Sequence, residues 1–454
     1  VCAYANNQHS LHADVSADPA DSSFRRALDL SKGTLMVLDS QATPFSRVWC
    51  AFEIFTSLCQ DEKIFDFASF VPEASEAPGD GGHTDPLPEV QGSSLCLPGK
   101  VELITQGYVP GDHEGKSTAV KAGHITRPRA GPMDMKSARE ASFPMDVALR
   151  AIDTRVESAQ ASVDSDRVHI LNAIVGCQPL DQAPPKAHAS YNVVNSAIHS
   201  RFAVAVFVQA VRDHPHQVGR LTRAICSDTS RTELDLQVTN SGFSDSMLAE
   251  LAESLPCSIE SLCLGLGGTL VQDGGTIALG KALERLKGLR TFSIYLNSKT
   301  LTSASALALG GGTAALAQLS TLSLYFTSTQ VDDHGVAALA HAVTGLQQLV
   351  QLYLGFSYTA VSDGGLAPIA GALVGKGALR KLCVTANNTQ AGSDSVAAIA
   401  EAAARLEGLE DLWLGFHRTR VGDRGALAAR EAAAGLCGRG LAKLFLDFGG
   451  SDVT

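Results

Sequence analysis

A leucine register repeats through the second half of the chain, and few folds can absorb it. Aligned on Leu234, Leu262, Phe292, Leu322, Leu352, Leu382, Leu412 and Leu444, the steps are 28, 30, 30, 30, 30, 30 and 32 residues. Two positions later stand Leu236, Leu264, Ile294, Leu324, Leu354, Val384, Leu414 and Leu446. Three positions earlier stand Ile259, Leu289, Leu319, Leu349, Leu379, Leu409 and Leu441. The unit is L-x-x-L-x-L, and its alternation is that of a short strand with one buried face. One such unit cannot bury its apolar face alone, so the units must stack on one another.

Nine residues past each register position comes a small apolar residue, then often D-x-G, as in "VQDGG", "VDDHG", "VSDGG" and "VGDRG". An aspartate there is expected to cap the helix that follows. The helices read "IALGKALERL", "VAALAHAVTGL", "VAAIAEAAARL" and "LAAREAAAGL", slim enough to stack closely. The segment 230–454, about eight repeats, resembles the long, ribonuclease-inhibitor-like class of leucine-rich repeat. That resemblance implies a right-handed solenoid, or horseshoe. An Asn ladder after the strand is met only at Asn297 and Asn387; other units place Thr, Ser, His or Gly there. The last unit stops at its loop, so the solenoid is expected to be truncated at its C-terminal end.

Outward strand positions line the concave face of such a solenoid. Tyr353, Trp413 and Phe445 fall in one outward column and Tyr295 and Tyr325 in the next, so all five share a surface. Tyr and Trp are frequent binding anchors, and this face is expected to hold a protein partner. It carries few charges and no clustered acid, base and nucleophile, so catalysis is not expected on it.

Composition narrows the function classes. The chain has 454 residues, 45% apolar and 18% charged, with a net charge of −11. Such a surface does not suit nucleic acid or anionic membrane, which require excess Lys and Arg. No apolar run reaches the ~18 residues of a bilayer span. Ten cysteines are scattered without C-x-x-C pairs, which reads as reduced thiols in a cytoplasmic protein with no metal site. No resident cofactor is expected.

Residues 72–132 are rich in Pro, Gly and polar residues and read as a loop or linker insertion. "GDHEGKST" (111–118) has three residues between Gly111 and Gly115, one short of a phosphate loop. Residues 133–229 read as a helical extension, with helices over 144–176 and 191–213. His169 lies beside the first apolar stripe, with no second ligand at metal spacing.

The first 71 residues alternate strand and helix. "VCAYA" (1–5) and "TLMVLD" (34–39) read as buried strands, and "SSFRRALDLS" (22–31) and "ATPFSRVWCAFEIFTSLC" (42–59) as helices. Apolar strands joined by helices predict a parallel sheet covered on both faces. Ligands of such sheets sit at strand C-termini, here Asn6 and Asn7 at one end and Asp39 and Ser40 at the other. On helix 42–59 the expected buried stripe is Val48, Phe52, Phe55 and Cys59. Trp49 and Glu53, four apart, share the neighbouring face.

"CAYANNQH", "GTLMVLD" and "SRVWCAFEIF" together resemble the Toll/interleukin-1 receptor (TIR) fold, and more closely uncharacterised TIR-like proteins of algae and other protists. Many TIR domains open this helix with S-x-W-C-x-x-E; here Ser46, Trp49, Cys50 and Glu53 match, with one extra residue after the serine. The resemblance implies a partial, flavodoxin-like α/β domain over 1–71 that lacks its first strand. It also implies signalling or self-association. In NAD-cleaving TIR proteins the glutamate of this motif is catalytic, a role that falls on Glu53, with Trp49, Asn6, Asn7, Asp39 and Ser40 around the pocket. Two readings stay open. One is an intracellular interaction or sensor scaffold. The other is an NAD-cleaving hydrolase regulated by the repeats, with NAD as substrate.

Overall fold

The structure, a computed structural model, describes residues 18–60, 64–72, 99–104 and 143–453. The predicted strand at 1–5, with Asn6 and Asn7, lies outside them, as does the loop 111–118. The chain divides into two compact units, Val1–Val206 and Phe207–Thr454.

In the first unit the described elements are α1 (Ser23–Leu30), β1 (Gly33–Leu38), α2 (Val48–Leu58), β2 (Ile64–Pro72), β3 (Gly99–Ile104), α3 (Met145–Asp153) and α4 (Asp164–Val175). Helix α5 (Ala189–Asp213) follows, and the division between the units falls inside it. β1 and β2 pair in parallel, Gly33 opposite Ile64, as the strand–helix–strand pattern predicts. The sheet is nevertheless mixed. β3, inside the stretch read as linker, pairs antiparallel with β2, Phe67 opposite Ile104. β1 also departs from the two-sided burial expected: Met36 and Leu38 are buried while Leu35 and Val37 are exposed. The core is aromatic. Phe67 packs on Phe202 (ring centroids 4.6 Å), Phe65 on Phe67 (4.8 Å) and Phe45 on Phe202 (5.6 Å). Phe202 comes from α5, so the helical segment completes the core of the α/β unit. α5 is long and apolar enough by composition to cross a bilayer, but 67% of that stretch is buried inside the protein.

The buried face of α2 differs from the expected stripe. Val48 and Phe52 are buried as predicted, joined by Ala51 and Ile54, whereas Phe55 is half-buried and Cys59 exposed. The helix is rotated because its first turn is fixed from outside. Val48 N–H donates to Gln160 O at 2.9 Å, and Gln160 N–H donates to Ser46 O at 2.8 Å.

The second unit follows the leucine register throughout. After α6 (Val218–Cys226), β4 (Glu233–Gln237), β5 (Ser261–Gly265), β6 (Thr291–Leu296) and β7 (Thr321–Phe326) alternate with α7 (Asp245–Ser254), α8 (Asp273–Leu283) and α9 (Ser303–Ala314). The series continues through α10 (Asp333–Gly345), β8 (Gln351–Gly355), α11 (Asp363–Ala372), β9 (Lys381–Thr385), α12 (Ser393–Ala404), β10 (Asp411–Gly415), α13 (Asp423–Cys437) and β11 (Lys443–Asp447). All eight strands form one parallel sheet in sequence order, and Leu234, Leu262, Phe292, Leu322, Leu352, Leu382, Leu412 and Leu444 stand opposite one another across it. Strands repeat at roughly 4.8 Å but helices are about 10 Å wide. The stack therefore bends with its sheet on the inner side.

The D-x-G aspartates do something other than cap their own helices. Capping falls to the residue before: Ser244, Thr302, Asp332 and Ser362 each accept from an amide of the first turn. The next side chain reaches into the following repeat instead. Gln272 N–H donates to Asp245 Oδ1 (2.6 Å), Thr302 to Asp273 Oδ1 (2.9 Å) and Asp332 to Ser303 Oγ (3.0 Å). Ser362 N–H donates to Asp333 Oδ1 (2.6 Å), Gly392 to Asp363 Oδ1 (2.8 Å) and Gly422 to Ser393 Oγ (2.9 Å). Six successive junctions between repeats are laced this way. The glycine two residues on clears the path: a Cβ at Gly275 would lie 2.7 Å from Asp245 Oδ1, and one at Gly365 2.7 Å from Asp333 Oδ1.

Cations close the opposite helix ends across repeats. Arg285 donates to Ala252 O and Leu255 O, both at 2.6 Å, and Lys376 Nζ to Thr344 O at 2.8 Å. A positive charge at a helix C-terminus is favourable. Lys376 stands where other repeats place a buried leucine (Leu286, Leu316, Leu346), and it is itself 1% exposed.

Asp273 also accepts from the hydroxyls of Thr302 (2.6 Å) and Ser305 (2.5 Å). Burial pushes its carboxyl up, but these hydroxyl and amide donors outweigh burial and hold it below its usual value. Asp273→Ala is expected to destabilise the solenoid by about 2 kcal/mol at pH 7. The share of that stability carried by the charge is full above the unfolded value of 3.8 and is lost as pH falls through the lower folded value. The gap between wild type and variant in urea unfolding should therefore narrow on acidification; a gap independent of pH would refute the ladder's charge. Burial holds the Lys376 ammonium below its usual value, so stability should rise as pH climbs through the folded value towards 10.5. Lys376→Leu should be about 1 kcal/mol more stable than wild type at pH 7 and should lack that rise in alkaline unfolding curves.

Candidate functional site

In the first unit, the predicted pocket residues fall into structural contacts. Asp39, exposed after β1, accepts from the amides of Gln41 (3.1 Å) and Thr43 (2.8 Å). Hydrogen bonds from Thr43, side chain first, hold its carboxyl below the usual range. It thus fixes the turn Thr43–Ser46 that leads into α2. Ser40 is exposed beside it. Trp49 lies with its ring against Phe24 (centroids 5.4 Å) and edge-on to Phe52 (6.3 Å), and its indole N–H donates to Asp166 Oδ2 at 3.3 Å. The indole therefore ties α1, α2 and α4 together. Glu53 is half-buried one turn further along α2, where its carbonyl accepts from Ser57 Oγ at 2.7 Å. Among the described residues, no group of His, Cys, Asp and Glu could hold a metal ion. His169 Nε2 is 2.6 Å from Asp181 Oδ1.

In the second unit, the five aromatics lie on the inner face, four of them as two stacked pairs. Tyr295 and Tyr325 are stacked, with centroids 4.9 Å apart and planes 8° apart. Trp413 and Phe445 are stacked at 3.9 Å and 26°. Tyr295, Trp413 and Phe445 are 42%, 46% and 39% exposed, values well above those of core aromatics such as Phe292. Tyr353 is half-buried and its hydroxyl donates to Gln351 Oε1 at 3.0 Å.

The column holding Tyr295 and Tyr325 contains three glycines, Gly265, Gly355 and Gly415, whose role sequence reasoning passed over. A Cβ at Gly265 would lie 1.9 Å from Gln237 Oε1, one at Gly355 2.4 Å from Tyr325 Cδ1, and one at Gly415 3.1 Å from Thr385 Cγ2. Gln237, Tyr325 and Thr385 each lie over the glycine of the next strand, and the glycines at one column position were the signal. Cys263 and Cys383 sit beside the aromatics. Burial above all pushes their thiols up to about 12 and about 11. They stay neutral at physiological pH, so they lack the thiolate that nucleophilic chemistry uses. The partial Asn ladder also has its explanation. Asn387 Oδ1 accepts from His417 N–H at 2.8 Å, and Ser357 Oγ takes the equivalent amide of Asn387 at 3.2 Å.

No family model matches the chain, and no curated protein does. Among solved structures it is similar to an internalin (InlF) from Listeria monocytogenes, with 17% identity over 51% of this chain and 78% of that one and a TM-score of 0.20. The paired register decides the assignment. The second unit has the parallel strand-and-helix architecture of a leucine-rich-repeat solenoid. The repeats from β4 to β10 each supply one strand and one helix, with their register leucines inward and the aromatics on the open face of the sheet; at β11, the last described strand, Leu444 is exposed.

Proposed function

We propose that the chain is a cytoplasmic protein-interaction scaffold. The inner face of the leucine-rich repeats binds a protein partner, and the first unit serves as a TIR-like module for signalling or self-association. The observation that carries this reading is the pair of exposed aromatic stacks on one rigid sheet. Aromatic side chains offer large contact area with few rotatable bonds, and rings already stacked lose little further freedom on binding. For the first unit, support comes from the motif Ser46–Glu53, which opens the helix after a parallel strand.

The scaffold reading is favoured over NAD cleavage because Trp49 and Asp39 already serve the fold. Replacing Tyr325, Tyr353 and Trp413 together with Ala is expected to cut recovery of the chain's binding partners at least tenfold while leaving the unfolding temperature within a few degrees. An unchanged partner set would refute the surface. Incubation of the chain with NAD is expected to release no more nicotinamide than the Glu53→Ala variant does; release that depends on Glu53 would establish the hydrolase reading instead.

A further inference from the structure

Tyr325 covers one face of the Tyr295 ring. The other face looks back along the sheet towards β5, where Gly265 carries no side chain. The Gln237 amide lies flat over Gly265 and floors the notch beside Tyr295; its Nε2 donates to Asp235 Oδ1 at 2.7 Å and to Cys263 Sγ at 3.4 Å. A carboxylate only accepts, so the amide nitrogen must face Asp235 and the amide oxygen turns out over Gly265. The Glu233 carboxylate stands on the same face two residues before Asp235, exposed. The nearby cation Arg231 lies against Asp228 (3.9 Å) and the Glu233 carbonyl (3.0 Å) and interacts with the Glu233 carboxylate too.

The charged groups at this notch are acceptors, the Asp235 and Glu233 carboxylates, with Gln237 Oε1 as a third, beside the electron-rich face of an exposed tyrosine; the Cys263 thiol is already hydrogen-bonded to Asp235. A ligand group that satisfies all of them must be cationic, donor-rich and flat on one side. We infer that the notch receives an arginine side chain of the protein partner, its guanidinium stacked on Tyr295 and donating to Asp235 and Gln237. A guanidinium meets both demands at once, because its planar face stacks on a ring while its edge carries a fork of donors. An ammonium offers no such plane. The chain's net charge of −11 adds long-range attraction for a basic segment.

This inference rests on the proposal that the inner face binds protein. The test is a display selection of random dodecapeptides on the full chain, followed by synthesis of the enriched sequences and titration by fluorescence anisotropy. The expected result is that enriched peptides carry an arginine whose replacement by Gln weakens binding at least tenfold and by Lys several-fold. Asp235→Asn and Tyr295→Ala should each weaken the same peptides at least fivefold, and the affinity should fall with salt. Enriched peptides without arginine, or binding indifferent to both substitutions yet lost in Trp413→Ala, would overturn the arginine notch and leave the face as a protein-binding surface. Binding that survives Asp235→Asn, Tyr295→Ala and Trp413→Ala alike, or a selection that enriches nothing, would overturn both.

Discussion

At six successive junctions of the solenoid, a repeat is held to its neighbour by a side-chain oxygen that accepts a backbone N–H from the next loop. The leucine core supplies the larger share of the free energy, but burial is not directional and would tolerate repeats that slide or twist. The aspartates and serines at 245, 273, 303, 333, 363 and 393 remove that freedom, because each bond is correct at one spacing and one angle. They also satisfy amides that would otherwise be stranded as the loops close over the core. A serine serves where the aspartate is missing, since an accepting oxygen at the right distance is all the contact requires.

The inner face depends on this spacing. Two tyrosines on adjacent strands stack at 4.9 Å only if the strands keep their parallel register. The same holds for Trp413 and Phe445. The sheet thus arranges the aromatics before any partner arrives, and the ordering cost of binding is correspondingly smaller. The glycines of the second column extend the effect, giving Gln237, Tyr325 and Thr385 room to lie flat on the sheet.

What could be read from the sequence follows from the range of the interactions involved. The strands, the register and the shared face of the five aromatics were legible because each recurs at a fixed period, and a repeated local pattern averages out the ambiguity of any one unit. The aspartates were visible too, but their role was misplaced, since a cap on the same helix and a bond to the next repeat require the same residue one position apart. The rotation of α2 was not legible. Phe55 and Cys59 sit at sound helical spacing from Val48, yet the helix is turned by a backbone pairing between Ser46 and Gln160, 114 positions apart. Strand β3 was hidden in a stretch of linker composition for the same reason: its partner β2 is distant in sequence and no period marks it.

The same distinction separates the two candidate sites. A residue on a repeated face has its neighbours specified by the repeat, so that Tyr295 could be placed beside Tyr325 from spacing alone. Trp49 has no such frame. Its surroundings are Phe24 from one helix and Asp166 from another, and neither is signalled by a motif that spans eight residues. The indole binds three helices together, and this alone gives it a reason to stand four residues before Glu53. Trp49 can be required by the fold in a protein with or without chemistry at the neighbouring carboxylate. The spacing of the motif therefore locates Glu53 on the helix without assigning it a reaction, whereas the acidic groups beside Tyr295 specify the chemistry of what can bind there.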